Sequence, residues 1–221
     1  MKLLLLGGNG QVGRELRRSL AALGTVTVAT RDGVDGDVAA DFMAPNALAR
    51  LVQEMAPDVV VNAVAYTAVD QAESDAKAAF RVNAEAPASI AAACAASGAT
   101  LVHYSTDYVF DGTGVRPYRE DDATAPIGVY GAGKLAGEEA IRASGAQYAI
   151  LRTAWVYASH GKNFLRTMLR VGAERDELRV VADQVGVPTP AARRRRAWRK
   201  ARSALVPFWR ARRSRQAAWG P

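Results

Sequence analysis

Cysteine, long apolar runs and, near the end of the chain, acidic residues are scarce in this sequence. Cys94 is the one cysteine among 221 residues, which excludes an intramolecular disulfide and gives no sign of an oxidising compartment. The apolar run Leu3–Leu6 stops at Gly7, short of the roughly 7–15 apolar residues of a secretory signal. No stretch approaches the roughly 20 consecutive apolar residues that cross a bilayer. We therefore expect a cytoplasmic protein without a membrane span.

Acidic residues are absent from residues 191–221, which hold 11 Lys and Arg. Residues 1–190 hold 18 Lys and Arg against 22 Asp and Glu, so the net charge of +7 comes entirely from the last 31 positions. Hydrophobic residues make up 49% of the chain and charged residues 23%, which is ordinary for a globular domain and argues against disorder, collagen or a membrane bundle.

Short runs rich in Val, Ile and Leu alternate with longer Ala-rich stretches whose apolar residues recur at helical spacing. This order predicts an α/β fold with a doubly wound parallel sheet of the Rossmann type, in which ligands bind beyond the carboxyl ends of the strands. The predicted strands are Lys2–Leu6, Thr25–Ala29, Asp58–Ala63, Thr100–Tyr104, Tyr148–Arg152 and Leu178–Val181. The predicted helices are Gln11–Leu23, Pro45–Met55, Ala72–Ala96, Gly128–Ala143 and Asn163–Glu174.

A glycine-rich turn follows the first predicted strand and opens the first helix. The absent side chains of Gly7, Gly10 and Gly13 allow a tight turn, close approach of backbone N–H groups to a pyrophosphate, and close packing of helix on strand. The first helical turn, with Gln11 and Val12, presents unpaired N–H groups to the anion. The pattern predicts dinucleotide binding, with an incidental glycine turn as the alternative.

Residues after the second and third strands predict contacts to the rest of a dinucleotide. Arg31 stands where an acid would favour a free ribose 2′-hydroxyl and an arginine accommodates a 2′-phosphate. We therefore favour NADPH over NADH, with a solvated loop charge as the alternative for Arg31. By position, Asp41 and Phe42 are expected to flank the adenine. The residues expected to line the pyrophosphate and ribose are Ala65, Tyr66 and Thr67, within the segment 63–67.

Tyr130 and Lys134 stand four residues apart in a predicted helix, so both side chains project from one face. A tyrosine with a pKa of about 10 is a poor acid–base group at neutral pH, but a nearby ammonium favours its anionic form. Thr106 follows the fourth strand, where its hydroxyl can reach a substrate oxygen or merely cap a turn. Such a pair is common by chance, but together with the glycine turn and Thr106 it predicts proton transfer to a carbonyl.

These motifs resemble those of the extended short-chain dehydrogenase/reductase family and, within it, the dTDP-4-dehydrorhamnose reductases. The resemblance runs from Met1 to about Pro190. It implies that hydride from a nicotinamide reduces the 4-keto group of dTDP-4-dehydro-6-deoxy-L-mannose to dTDP-L-rhamnose, for cell-surface polysaccharide such as lipopolysaccharide O-antigen. The motifs that carry it are Gly7–Gly13, Asn62–Asp70, His103–Phe110, Tyr130–Lys134 and Arg152–Tyr157.

The resemblance also implies roles for individual residues. Tyr130 would be the proton donor, and Lys134 would hold the nicotinamide ribose and tune Tyr130. Thr106 and Asp107 would address the sugar, and Tyr104 would lie near the nicotinamide.

The roles of three further residues are less specifically indicated by the sequence. Trp155 would pack on the substrate or be a core aromatic, and Asn83 would support the site from its helix or lie at the surface. The resemblance also admits Mg²⁺, for which the sequence shows no ligand cluster and only Glu15 as a weak candidate.

Sugar-nucleotide 4,6-dehydratases and 4-epimerases of the same fold are the nearest alternatives. Dehydratases use an Asp-Glu pair after the strand-end threonine, whereas here Asp107 is followed by Tyr108. The missing glutamate favours net reduction.

Residues 191–221 depart from the resemblance, with ten arginines, three of the four tryptophans and no strand pattern. We expect residues 1–190 to form an NAD(P)-binding domain whose substrate-binding lobe is largely missing, and residues 191–221 not to form a folded domain. The interpretations of this segment are a frameshifted or truncated gene, which we favour, an arm for RNA or DNA, or a membrane-surface segment. An inactive cofactor-binding remnant is therefore a further alternative, and a homodimer is left open.

Overall fold

A six-stranded parallel sheet forms the centre of the computed structural model, which describes residues 1–194. Its strands are β1 (Lys2–Leu6), β2 (Thr25–Thr30), β3 (Val38–Ala39), β4 (Val59–Asn62), β5 (Thr100–Thr106) and β6 (Gln147–Thr153). They lie in the order β3-β2-β1-β4-β5-β6, which confirms the doubly wound topology. Strands are added on one side of β1 as far as β3 and on its other side from β4 onward, so the strand order reverses between β1 and β4. A separate parallel pair joins β7 (Val156–Tyr157) to β8 (Thr189–Pro190).

Helices cover both faces of the sheet. They are α1 (Gln11–Leu20), α2 (Pro45–Met55), α3 (Val69–Ser74), α4 (Ala76–Phe80), α5 (Ala86–Ser97), α6 (Val129–Ala143) and α7 (Phe164–Glu174). A π-helical turn, Arg81–Glu85, joins α4 to α5, and short 3₁₀ turns cover Asp107–Val109 and Ala191–Arg194.

The leucine run of β1 is explained by burial on both faces. Leu4 and Leu6 pack with side chains of α2, α5 and α6, whereas Leu3 and Leu5 pack with side chains of α1. Since successive side chains of a strand point to opposite faces, a central parallel strand needs apolar residues at every position.

Two predicted elements are wrong. Leu178–Val181 forms no strand, and Val181 is 68% exposed, because no strand of the described chain lies beside it to pair its backbone. The single helix predicted over Ala72–Ala96 is broken at Asp75, whose carboxylate caps α4 by accepting from the Ala78 amide, and again at the π-helical turn. The two-residue strands β3, β7 and β8 are too short to show a periodic pattern, and sequence analysis missed them.

Helix α7 differs from the other long helices because it buries no residue. Phe164 is 66% exposed and Leu169 is 68% exposed. Within residues 1–194, no helix combines the length and the apolar character that crossing a membrane requires.

Candidate active site

The carboxyl ends of β1, β4 and β5 lie side by side at the point where the strand order reverses. Leu6 pairs with Asn62, and Asn62 pairs with His103, so the turns that follow these strands leave the sheet at one edge. In open α/β sheets this edge is where ligands bind.

The glycine turn after β1 is built by close backbone approach. Gly7 has a φ of +82°, and a Cβ on Gly13 would lie 2.0 Å from the Gly7 carbonyl oxygen. Side chains at these two positions would therefore strain the turn or push α1 away from β1.

Gly10 differs from these two glycines because the fold does not need it. Its φ of −72° suits any residue, and the nearest atom to a Cβ at Gly10 would be the Gly7 carbonyl oxygen, at 3.4 Å. Gly10 is the N-cap of α1, and no side chain caps the first helical amides. The turn thus has uncapped N–H donors and an empty space that a Cβ would fill, which fits an anionic pyrophosphate.

The side chain of Gln11 serves a neighbouring loop. Its Nε2 donates to the Lys162 carbonyl oxygen at 3.0 Å, and its Oε1 accepts from Asn163 Nδ2 at 2.8 Å. Among the predicted cofactor contacts, Gln11 and Val12 can therefore contribute backbone amides at the start of α1.

The residues predicted to contact the adenosine differ in their exposure. Arg31 is exposed directly after β2, and Asp41 is exposed after β3, where its carboxylate accepts from the Met43 amide at 2.9 Å. Phe42 is 5% exposed and packs in the core with Leu6 and Ala29. Its expected position beside an adenine stays a prediction.

The loop after β4, which contains Ala65, Tyr66 and Thr67, is held by Asn83. The carboxamide of Asn83 accepts from the Tyr66 amide at 2.9 Å and donates to the Tyr66 carbonyl at 3.1 Å. Asn83 is fully buried in the π-helical turn, which excludes the surface alternative. Such single π-helical turns often position a side chain at a functional site.

Tyr130 lies in the first turn of α6 against the 3₁₀ turn that follows β5. It is 9% exposed, and its ring meets the Tyr108 ring edge-on at a centroid distance of 5.4 Å. Thr106 at the end of β5 accepts from the Tyr108 amide at 3.2 Å and donates to Asp107 at 3.3 Å. Thr106 therefore does cap a turn, and its hydroxyl lies close enough to the Tyr130 side chain to lower the pKa of that phenol.

The expectation that an ammonium lowers the pKa of Tyr130 is wrong for this structure. Burial raises the pKa of Tyr130, Asp107 and Tyr108 raise it further, and only the hydrogen bond with Thr106 lowers it. Burial also raises the pKa of Asp107, although its hydrogen bonds oppose the change.

Lys134 lies one turn along α6, 1% exposed. Its Nζ donates to the Tyr104 carbonyl at 2.7 Å and lies 3.2 Å from His103 Nε2. Burial lowers the pKa of Lys134 to about 8, against the opposing effect of Glu138. Tyr104 thus contributes its carbonyl to the site, and its ring is 7% exposed among the side chains that pack with α1. The expected position of Tyr104 near a nicotinamide stays a prediction.

Sequence analysis missed two sets of supporting residues. Asn62 and His103 are fully buried, and Asn62 Nδ2 lies 3.1 Å from His103 Nδ1. Glu138 is also fully buried and binds Arg152 through two hydrogen bonds, at 3.0 and 2.8 Å, which ties α6 to β6. The one available signal was a polar residue in an otherwise apolar strand, since each of Asn62, His103 and Arg152 ends or interrupts such a run.

Trp155 lies just after β6 with a φ of +43°, a strained conformation for a bulky residue. It is 44% exposed, which excludes the core alternative, and a Cβ on Gly186 would lie 2.8 Å from its ring. Strain of this kind often accompanies a functional position.

Within residues 1–194, no cluster of three or more His, Cys, Asp or Glu residues is arranged to hold a metal ion. Glu15 pairs with Arg18 at 2.6 Å. The expectation of Mg²⁺ therefore stays with the family resemblance alone.

A Rossmann-type sheet with a glycine turn and a Tyr-x-x-x-Lys helix at one edge defines the class of nicotinamide-dependent short-chain dehydrogenases/reductases. The chain belongs to the family described as RmlD substrate binding domain, which matches residues 1–205.

Curated relatives agree with this family. The chain is 56% identical over 189 residues to a dTDP-4-dehydrorhamnose reductase of Burkholderia thailandensis, covering 86% of this chain and 61% of that protein. It is 50% identical over 191 residues to the enzyme of that name from Escherichia coli, covering 86% of this chain and 63% of that protein. The chain thus spans less than two thirds of the length of these relatives.

Solved structures agree as well. A dTDP-4-dehydrorhamnose reductase of Clostridium acetobutylicum is 39% identical with a TM-score of 0.85, covering 92% of this chain and 71% of that one. The Bacillus anthracis enzyme, solved in complex with NADP, is 38% identical with a TM-score of 0.80, covering 86% of this chain and 66% of that one.

The last 27 residues of the basic segment, 195–221, lie outside the described residues, and so do the interpretations placed on them.

Proposed function

We propose that this chain is the cofactor-binding part of an NADPH-dependent reductase that converts the 4-keto group of a dTDP-linked 6-deoxyhexose to the alcohol, forming dTDP-L-rhamnose. The observation that carries the proposal is the shared sheet edge: the uncapped glycine turn after β1 and the Thr106–Tyr130–Lys134 group open on one side of the sheet. The named relatives supply the substrate class.

Residues of this chain have distinct tasks in the proposal. The α1 amides and Gly10 hold the pyrophosphate, Arg31 pairs the 2′-phosphate, and Lys134 holds the nicotinamide ribose. When bound, NADPH supplies the hydride. Trp155, exposed and strained beyond β6, packs on the substrate.

Tyr130 donates the proton that the reduced carbonyl oxygen requires. Its raised pKa keeps the phenol protonated at neutral pH, which is the state a proton donor needs. Thr106 hydrogen-bonds the same oxygen and fixes its distance from Tyr130, while Asp107 contacts the sugar.

Elimination of water, the dehydratase alternative, requires a second acid at position 108. Tyr108 occupies that position and packs edge-on against Tyr130, so an aromatic ring stands where the second carboxylic acid would be. Net reduction is therefore the better fit.

The test is a pair of measurements on the purified chain: binding of NADPH or NADH by nicotinamide fluorescence, and consumption of NADPH with the dTDP-4-keto sugar. Tyr130→Phe should keep cofactor binding and lower kcat by about 10²–10⁴-fold. Tyr148→Phe, at a tyrosine that is 41% exposed on β6, is the matched control and should change neither.

Each contrary outcome selects an alternative. Binding without turnover indicates the cofactor-binding remnant, product without NADPH consumption indicates an epimerase or dehydratase, and no nicotinamide binding refutes the proposal.

A cytoplasmic location and a homodimer are further parts of the proposal, tested by cell fractionation and by the mass of the chain in solution.

A further inference from the structure

Arg17 of α1 connects the glycine turn to the loop after β2, residues 31–37. Its Nε donates to the Gly8 carbonyl at 2.9 Å, and its Nη2 donates to the Asp35 carbonyl. Because the guanidinium is a rigid planar group, two bonds from one arginine fix where the two carbonyls lie relative to each other. Arg17 therefore links the segment that fits a pyrophosphate to the segment that carries Arg31.

Two carboxylates of this loop bond to backbone amides. Asp37 Oδ2 accepts from the Val28 amide of β2 at 2.7 Å, and Asp32 Oδ1 accepts from the Val34 amide at 3.0 Å. An acid after β2 favours a free ribose 2′-hydroxyl when it accepts from that hydroxyl, whereas these two acids accept from the protein itself. Arg31 is the one cation of the loop, and its charge suits a 2′-phosphate.

Asp35 is a residue of the loop whose backbone is strained. Its φ of +57° lies in the left-handed region, which residues with a Cβ seldom adopt. Such a conformation persists where surrounding contacts hold it. Arg17 bonds the carbonyl of this same residue, so loss of that bond should release the loop at Asp35.

We propose that Arg17 is a positioning residue for recognition of the ribose 2′-phosphate. By bonding both Gly8 and Asp35, it holds the loop beside the glycine turn, so that Arg31 pairs the 2′-phosphate of a dinucleotide whose pyrophosphate lies on that turn. Because Arg17 bonds backbone carbonyls, its effect on the ligand passes through Arg31. The proposal rests on the proposed function, since it requires NADPH in the glycine turn.

A pair of variants that keep the net charge tests this role. Arg17→Lys keeps the positive charge, but an ammonium on a flexible stem does not reproduce two bonds from a rigid fork. Arg18→Lys is the matched control, because Arg18 is the next residue of α1, its side chain is 75% exposed and it pairs with Glu15 at 2.6 Å. A difference between the two variants therefore reports the connection that Arg17 makes.

The first measurement is hydrogen exchange of the chain without cofactor. The Gly36 amide donates to the Gly33 carbonyl at 3.2 Å, and the Asp37 amide donates to the Val28 carbonyl at 2.7 Å, so both report opening of the loop. Arg17→Lys should raise both exchange rates by about tenfold through the lost hydrogen bond, and Arg18→Lys should change neither. Amides of β1 are the reference for the folded state. Unchanged loop exchange in Arg17→Lys, or an equal rise in β1, overturns the proposal.

The second measurement is the ratio of NADPH affinity to NADH affinity, from titrations of nicotinamide fluorescence. Arg17→Lys should lower this ratio by at least about fivefold, mainly through weaker NADPH binding, and Arg31→Ala should lower it at least as far. In the double variant the ratio should equal that of Arg31→Ala alone, because Arg17 acts through Arg31. Additive losses would mean that Arg17 binds the phosphate itself, and they overturn the positioning role, as does an unchanged ratio in either single variant.

The proposed function and this inference fail in different ways. A wild-type chain that binds neither nicotinamide refutes the proposed function and this inference with it. A wild-type chain that binds NADPH, with the same ratio in Arg17→Lys, refutes this inference alone.

Discussion

The three glycines of the turn after β1 differ in what surrounds each of them. Gly7 and Gly13 are required by the turn itself, whereas Gly10 leaves a space that the protein does not use. Sequence analysis treated all three alike, because a motif gives spacing and not the distance from a missing Cβ to its neighbours.

Gly10→Ala should separate ligand binding from stability. Because its Cβ would meet only the Gly7 carbonyl oxygen at 3.4 Å, we expect the free energy of unfolding to stay within about 0.5 kcal/mol of wild type. NADPH affinity should fall at least about tenfold, or about 1.4 kcal/mol, since the methyl group occupies the pyrophosphate space. Gly13→Ala is the comparison variant and should lower both the free energy of unfolding and the NADPH affinity. Unchanged NADPH affinity in Gly10→Ala would place the pyrophosphate elsewhere.

Lys134 should make stability depend on alkaline pH. Its pKa of about 8 in the folded chain lies below the ordinary 10.5, so between these values the unfolded chain binds the proton and the folded chain does not. Lys134 therefore contributes a rise in the free energy of unfolding across that window, on the order of 3 kcal/mol. Burial raises the pKa of Cys94 to about 12, which contributes a fall above its ordinary value of 9.0. Urea unfolding at several pH values should therefore show the Lys134 contribution as the difference between wild type and Lys134→Met. Equal pH dependence in both would refute the burial effect.

Secondary structure elements meet at the site through small residues. A Cβ on Gly137 of α6 would lie 2.2 Å from the Asn83 carbonyl oxygen in the π-helical turn, so the two backbones touch there. This contact explains how Asn83 can hold the β4 loop beside Tyr130. The alanine-rich composition predicted helices but not the π-helical turn, because nearly uniform small residues leave no apolar stripe whose phase would reveal the extra residue.

Gly137→Ala should destabilise the chain by about 1–3 kcal/mol, since the added methyl group forces α6 away from the π-helical turn. Gly172→Ala in α7 is the matched control, because its Cβ would meet Leu178 at an ordinary 3.7 Å. That substitution should stabilise by about 0.5–1 kcal/mol through helix propensity. Thermal unfolding of both variants measures the difference, and shifts of the same sign would contradict the packing argument.

At the scale of the whole molecule, stability is unevenly distributed along residues 1–194. Strands β1 and β4 are buried on both faces, whereas α7 buries no residue. Buried apolar contacts supply most of the free energy that resists local opening.

Hydrogen exchange should therefore separate two helices of similar length. The amides of α1, which buries Gly13, Leu16 and Leu20, should require an opening close to global unfolding. The amides of α7 should exchange through local fraying at a rate that denaturant barely changes. Protection of α7 equal to that of α1 in native-state exchange would contradict this distribution.

The alternation of β1, β2, β4, β5 and β6 with helices, the glycine turn and the Tyr130–Lys134 pair followed from the sequence alone, because each depends on local periodicity or on short spacing. The tertiary structure decided the rest: that Phe42 and the Tyr104 ring are buried, that Leu178–Val181 has no partner strand, and that Asn62 and His103 reach Lys134. Burial, pairing and the direction of a hydrogen bond depend on residues far apart in the chain, so no local pattern contains them.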